Sequence, residues 1–143
     1  MKNDKEKFKK DNLNIILDAI FKFAKNTAKE FYFKIWVKNP PKCPAFDGEV
    51  IQITRSGWEH IIDETSRTKT DVMGRLFVLE RAKALLEKAV TFAEIVEREK
   101  AVYWVFDGMI KEVRIRVVVK SYSKRPKYFL TVIKKGSVEK YFE

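Results

Sequence analysis

The chain has 143 residues, 45% hydrophobic and 13% aromatic, which suits a packed core and excludes intrinsic disorder. A formal net charge of +10, with a pI near 9.6, points to an anionic partner. Cys43 is the sole cysteine, so an internal disulfide and a cysteine metal cluster are excluded.

One domain spanning 1–143 is expected. No apolar run approaches the roughly 18 residues that span a bilayer, and the charged start lacks the pattern of a signal peptide. No membrane association is expected. Residues 1–10 are mostly charged and read as a frayed end. From Leu13, apolar residues recur at helical spacing through Phe31, predicting a helix near 12–30 capped by Asp11 or Asn12. Its other side carries Lys22, Lys25 and Lys29, and packing on a sheet is expected. Phe31 to Val37 has strand composition and either continues the helix or pairs with a sheet edge. Asn39 to Pro44 reads as a loop, because its prolines remove backbone donors. Asp47-Gly48 is a turn, followed by a short strand from Val50 to Thr54.

A second helix is expected over 56–64. Ser56 followed by Glu59 matches a capping box, and Trp58, Ile61 and Ile62 share one side, with His60 off that face. Thr65 to Thr70 is a polar loop. A third helix is expected over 71–89, with an apolar stripe of Val72, Leu76, Leu79, Ala82 and Leu86. Arg75 falls inside that stripe, so it needs a carboxylate, an escape route or a ligand. Thr91 to Val96 is an ambiguous strand.

Val102 to Lys135 reads as a β-meander. Asp107-Gly108 marks its first turn and Ser121 to Pro126 its second. In the middle strand Val113, Ile115, Val117 and Val119 form one apolar face, while Glu112, Arg114, Arg116 and Lys120 charge the other. Between Ile110 and Lys135 nine basic side chains face one acid, whereas Ser56 to Glu99 holds seven basic and nine acidic. A sheet with an apolar back and a cationic front fits an acidic polymer. The residues 136–143 form either a last strand or a loose tail. The expected class is therefore α+β, with N-terminal helices packed on one side of an antiparallel sheet.

The candidate chemistry is spread thinly. His60 is the only histidine and the natural titrating group near neutral pH. Tyr122, Lys124, Arg125 and Lys127 cluster where phosphate contacts are easy, and Thr131 interrupts an apolar strand. No metal or other cofactor is expected, since the acids lack a ligand spacing and no glycine-rich phosphate loop exists.

The order of parts resembles the barnase–EndoU–colicin–RelE-like nucleases, a superfamily of small metal-independent RNases that includes toxin modules of bacteria and phages. Residues 50–135 carry the resemblance: Ile53-Thr-Arg-Ser-Gly-Trp-Glu-His60-Ile, a helix with Arg75 and Leu85-Leu86, then Arg114-Ile-Arg-Val-Val-Val119 and Phe129-Leu-Thr-Val-Ile133. It implies RNA crossing the sheet, with catalysis by His60, Arg116, Lys120 and Thr131. RNA contacts would come from Arg75, Arg114, Tyr122, Lys124, Arg125 and Lys127. It also implies an acidic immunity or antitoxin protein as partner, and action in the cytoplasm, with delivery by secretion or phage left open. A second histidine is lacking, which leaves the acid–base pair open. Two other readings use the same residues: a non-catalytic nucleic-acid-binding module stacking bases on Tyr103, Trp104 and Tyr128, and an accessory protein whose basic face meets an acidic protein.

Overall fold

The computed structural model describes residues 2–135; Met1 and the tail expected at 136–143 lie outside the described residues. The fold is α+β. Helix α1 spans Lys2–Glu30, so the segment expected to fray is helical from Lys2. It runs straight into a π-helical turn, Phe31–Trp36, rather than a strand. The reason is packing: Tyr32 and Trp36, four residues apart, share one side of the turn and are both completely buried.

The proline loop contains a two-residue strand β1, Lys42–Cys43, which pairs antiparallel with β2, Glu49–Val50. Asp47 and Gly48 make the turn between them with positive φ of 56° and 84°. The longer strand expected to Thr54 is absent, although Gln52 bridges in parallel to Tyr128.

Helix α2 is Arg55–Ile61. Its cap is Thr54, whose side chain accepts from the Gly57 amide at 3.3 Å, not the expected Ser56. Glu59 is engaged instead by Arg55. The third helix is two: α3, Lys69–Phe77, capped by Thr68, and α4, Leu79–Lys88, with the break at Val78. Val72, Leu76, Leu79, Ala82, Leu85 and Leu86 are buried as the apolar stripe requires.

Strands β3 (Glu94–Arg98), β4 (Ala101–Ile110), β5 (Val113–Tyr122) and β6 (Tyr128–Lys135) form one antiparallel sheet in that order. Ile115, Val117 and Val119 of β5 are fully buried, on the inner face as expected. The β4–β5 turn sits four residues later than Asp107-Gly108, at Lys111 and Glu112, both with positive φ as a two-residue hairpin loop demands. Asp107 and Gly108 stay inside β4, opposite Arg116 and Ile115. Each has a packing reason. Asp107 pairs with Arg116, and a Cβ on Gly108 would stand 2.6 Å from Leu85 Cδ1. Between β5 and β6 the register slips at Val118/Val119, leaving Leu130 as the extra residue of a bulge. Helices α2 and α3 lie against β6, and α4 against β4 and β5. Among the described residues no helix is long and apolar enough to cross a membrane.

Two glycines respond oppositely to the same substitution. A Cβ at Gly57 would lie 2.7 Å from the Tyr32 hydroxyl and 2.8 Å from the Phe129 carbonyl oxygen, whereas at Gly74 it meets nothing within 4 Å. Gly57→Ala should destabilise by about 1–3 kcal/mol through overpacking. Gly74→Ala, inside α3, should stabilise by roughly 0.5–1 kcal/mol. Chemical denaturation monitored by tryptophan fluorescence measures both, and equal effects would show that the approach of α2 to β6 is not tight.

Candidate functional site

Helix α2 turns Trp58 and Ile61 into the core and leaves His60 half-buried on its last turn. The chain then folds back. Asp63 accepts from the Thr65 amide at 2.9 Å, the Thr65 hydroxyl at 2.5 Å and the Ser66 hydroxyl at 3.1 Å. Those bonds close a turn that returns Arg67 to the end of α2. There Arg67 Nη1 donates to the His60 carbonyl at 2.5 Å, and Nη2 lies 3.0 Å from His60 Nε2. A guanidinium only donates, so Nε2 is the acceptor and the ring proton sits on Nδ1. The imidazole is thus held neutral.

Arg75 lies in the apolar stripe of α3 and reaches across to β6. Its Nη1 donates to Thr131 Oγ1 at 2.6 Å and to the Val132 carbonyl at 3.3 Å. Asp71 stands between the two arginines, 3.5 Å from Arg67 Nε and 3.4 Å from Arg75 Nε. Both contacts are long for charge-assisted bonds, which favour 2.7–2.9 Å as a rough norm. Each arginine side chain is only 11% exposed. Two nearly buried guanidinium groups therefore share one loosely held carboxylate. Burial lowers the pKa of His60, helped by Arg67, Arg75 and Lys120, while Asp63 opposes. Burial likewise lowers that of Arg75, with Arg67 adding to it and Asp71 opposing.

The outer face of the sheet holds a second group. Arg116 makes two bonds to Asp107 across β4 and β5, at 2.8 and 3.1 Å, so its charge is already matched. Lys120 sits 5.1 Å from the Tyr103 ring centroid and 4.8 Å from that of Tyr122. Hydrogen bonding with Tyr122, and less so with Tyr103, raises its pKa against the effect of burial. The same ammonium lowers the pKa of Tyr122, and burial raises that of Tyr128. Beside them opens a cleft of about 480 Å³ lined by Arg98, Glu99, Lys100, Tyr103, Lys120 and Tyr122. Among the described residues none of its three cations has a carboxylate at salt-bridge distance.

The expected residues thus divide. His60, Arg75 and Thr131 join in one network, and Lys120 acts on His60 through its field. Arg114, Arg116 and Tyr122 lie on the outer sheet face, and Lys124 and Arg125 in the β5–β6 turn. Lys127 is tied to Glu49 at 2.8 Å and lies over the rings of Phe46 and Trp104. Trp104 itself packs against Phe46 on the inner side and is no outer platform. Sequence reading missed Arg67 and Asp71. Their signal was the spacing Arg67, Asp71, Arg75, which sets an acid one helical turn from each of two bases. Among the described residues no group of histidine, cysteine and acids is placed to hold a metal ion. No protein-family model matches the chain, nor does any curated protein or solved structure.

Because the folded His60 pKa lies below its ordinary 6.5, protons bind the unfolded chain more readily. The associated stability is present above pH 6.5 and is lost as pH falls through the lower folded value. Asp63 and Asp107 are depressed below 3.8, so their losses come in stronger acid. Urea midpoints between pH 7 and pH 5 should fall for the wild type and stay flatter for His60→Gln. Parallel curves would remove His60 from the coupling.

Proposed function

We propose that the protein is a metal-independent ribonuclease that draws RNA along the outer sheet face and cleaves it at His60. The observation that carries this reading is the surplus of nearly buried positive charge at Arg67 and Arg75, beside a neutral imidazole and the Thr131 hydroxyl. A phosphodiester suits two guanidinium forks in both charge and geometry.

Each group then has a task. An arriving phosphate draws Arg67 from the imidazole and frees the Nε2 lone pair. His60 takes the proton of the ribose 2′-hydroxyl, whose oxygen bonds to phosphorus as the bond to the 5′-oxygen breaks. Arg67, Arg75 and Lys120 offset the charge that builds on the phosphorane. Solvent returns a proton to the departing 5′-oxygen. Arg75 holds Thr131 facing the cluster. Arg114, Lys124, Arg125 and the cleft beside Tyr103 and Tyr122 carry the flanking strand, the tyrosines stacking unpaired bases. The resemblance to toxin modules brings with it an acidic immunity or antitoxin protein, for which a chain of charge +10 is the complement.

A second reading is favoured by one specific contact: Asp107 neutralises Arg116, so the outer face binds without that cation in a catalytic role. The module would then hold single-stranded RNA and leave it intact.

Purified protein incubated with mixed RNA and a chelator separates the two. Cleavage should proceed, leave 2′,3′-cyclic phosphate ends, and spare a 2′-deoxy linkage. His60→Ala should slow it by about 10²- to 10⁴-fold with binding nearly unchanged. Intact RNA after prolonged incubation with fully bound protein would select the binding module.

Salt tests the track itself. Binding of an uncleavable 2′-O-methyl strand should weaken steeply as salt rises. Arg114→Gln with Lys124→Gln should reduce the logarithmic slope by roughly 0.7 per lost contact. An unchanged slope would take the outer face out of the binding path.

A further inference from the structure

Much of α1 stands clear of the rest of the chain. Its inward side is fixed by buried Phe21 and by Asp18, which pairs with Lys69 of α3 at 2.8 Å. On its other sides Leu13, Ile15, Ile16, Leu17, Ile20 and Phe23 are 49–73% exposed. A helix with so wide an apolar face belongs between two packed surfaces, and this one has a body on one side only.

We infer that a second copy of the chain covers this face, the two α1 helices pairing antiparallel about Asp18. Area is the first argument. The five exposed side chains on and beside the seam, Leu13, Ile16, Leu17, Ile20 and Phe23, present on the order of 500–600 Å², more than the few hundred expected of a contiguous patch on most monomers and approaching one partner's share of a standard interface. Spacing is the second. Leu13, Ile16, Ile20 and Phe23 follow one another by three, four and three residues, the seam of a coiled coil.

Symmetry makes the occupant a second copy rather than another protein. The seam has the same spacing in both directions from Asp18, so antiparallel pairing sets Leu13 against Phe23 of the second copy and Ile16 against its Ile20. A two-fold interface requires that self-complementarity. The flanking positions Asn12, Ala19 and Asn26 on one side, Leu17 and Ala24 on the other, carry no charge, so two cationic chains meet without like charges at the seam. Beyond it, the same register sets Lys9 opposite Thr27 of the second copy and Glu6 opposite its Glu30. The inference is independent of the ribonuclease reading.

Sedimentation of the full chain at roughly 100 µM, well above the Kd range of a working interface of this size, should give about twice the 16.9 kDa chain mass. Ile16→Glu with Ile20→Glu should return it to monomer, with self-association weakened about 100-fold or more and the far-UV circular dichroism unchanged. Under mild oxidation Ala19→Cys, beside the two-fold axis, should cross-link to itself while Leu13→Cys should not; Cys43 is fully buried and stays out of the reaction. A wild-type monomer at that concentration overturns the inference. So does cross-linking of Leu13→Cys as ready as that of Ala19→Cys, which would mean parallel pairing. A monomer that instead co-sediments with phosphatidylserine vesicles overturns it too and assigns the face to a membrane surface.

Discussion

Everything that positions the candidate site hangs on one aromatic junction. Phe129 of β6 lies 4.6 Å from the Trp36 ring centroid and 6.4 Å from that of Tyr32, and Tyr32 lies 5.5 Å from Trp58. Four rings thereby join the end of α1, the first turns of α2 and the edge strand. Ring pairs at these separations contribute about 0.5–1.5 kcal/mol each beyond the area they bury. The Tyr32 hydroxyl also donates to the Thr54 carbonyl at 2.5 Å, fixing the residue that caps α2. Gly57 is then the only kind of residue that lets α2 come down on the Phe129 carbonyl. Move that contact and α2, which carries His60, shifts against the strand that carries Thr131.

The charges on this chain fall into those matched and those left unmatched, and the division follows position. Arg116, Lys127, Lys69 and Lys83 each have a carboxylate within salt-bridge distance. On exposed surfaces such pairs are worth little, typically below about 1 kcal/mol, but they cancel the local field. Among the described residues there remain a band of unmatched cations from Arg98 and Lys100 through Lys120, and a nearly buried pair, Arg67 and Arg75, that shares the single carboxylate of Asp71. A formal charge of +10 therefore understates how directed the field is.

Regular patterns were legible in the sequence, and local competition was not. The two-residue alternation of β5 predicted its buried face correctly, and the 3.6-residue stripe of α3 and α4 predicted their cores. The hairpin at Asp107-Gly108 misled because turn chemistry there lost to tertiary demands: Asp107 was wanted by Arg116, and Gly108 by the close passage of Leu85. Ser56 lost the cap to Thr54 because Tyr32 holds the Thr54 carbonyl, a contact 22 residues distant in sequence. The strand-like composition of Phe31–Trp36 reflected rings needed at one junction, and a π turn delivers them as well as a strand. Arg75 was legible as an anomaly on an apolar stripe. The spacing of Arg67 from Asp71 could tie it to α3, but its approach to His60 was hidden, because only the fold-back at Asp63 brings the two together.

The chemistry of the Arg67–Arg75 network separates a binding site from an ordinary structural ion pair. A cation removed from water costs several kcal/mol unless a counter-charge and full hydrogen bonding replace the lost hydration. Here the donors are mostly satisfied, but by dipoles: the His60 carbonyl for Arg67, and the Val132 carbonyl and Thr131 hydroxyl for Arg75. Carbonyls and hydroxyls occupy N–H groups without cancelling charge. Among the described residues only Asp71 comes within salt-bridge distance of the two arginines as a counter-charge, and at a separation where it holds neither firmly. Neutral His60 adds none, because both arginines disfavour its protonated form. Asp63 spends its oxygens on Thr65 and Ser66 and acts on Arg67 only through its field, whereas a purely structural network would be stabilised by a second carboxylate at bonding distance. Its absence leaves the cluster net positive behind a shell of oriented dipoles. That is the electrostatic condition under which an incoming oxyanion gains more than the protein loses by rearranging.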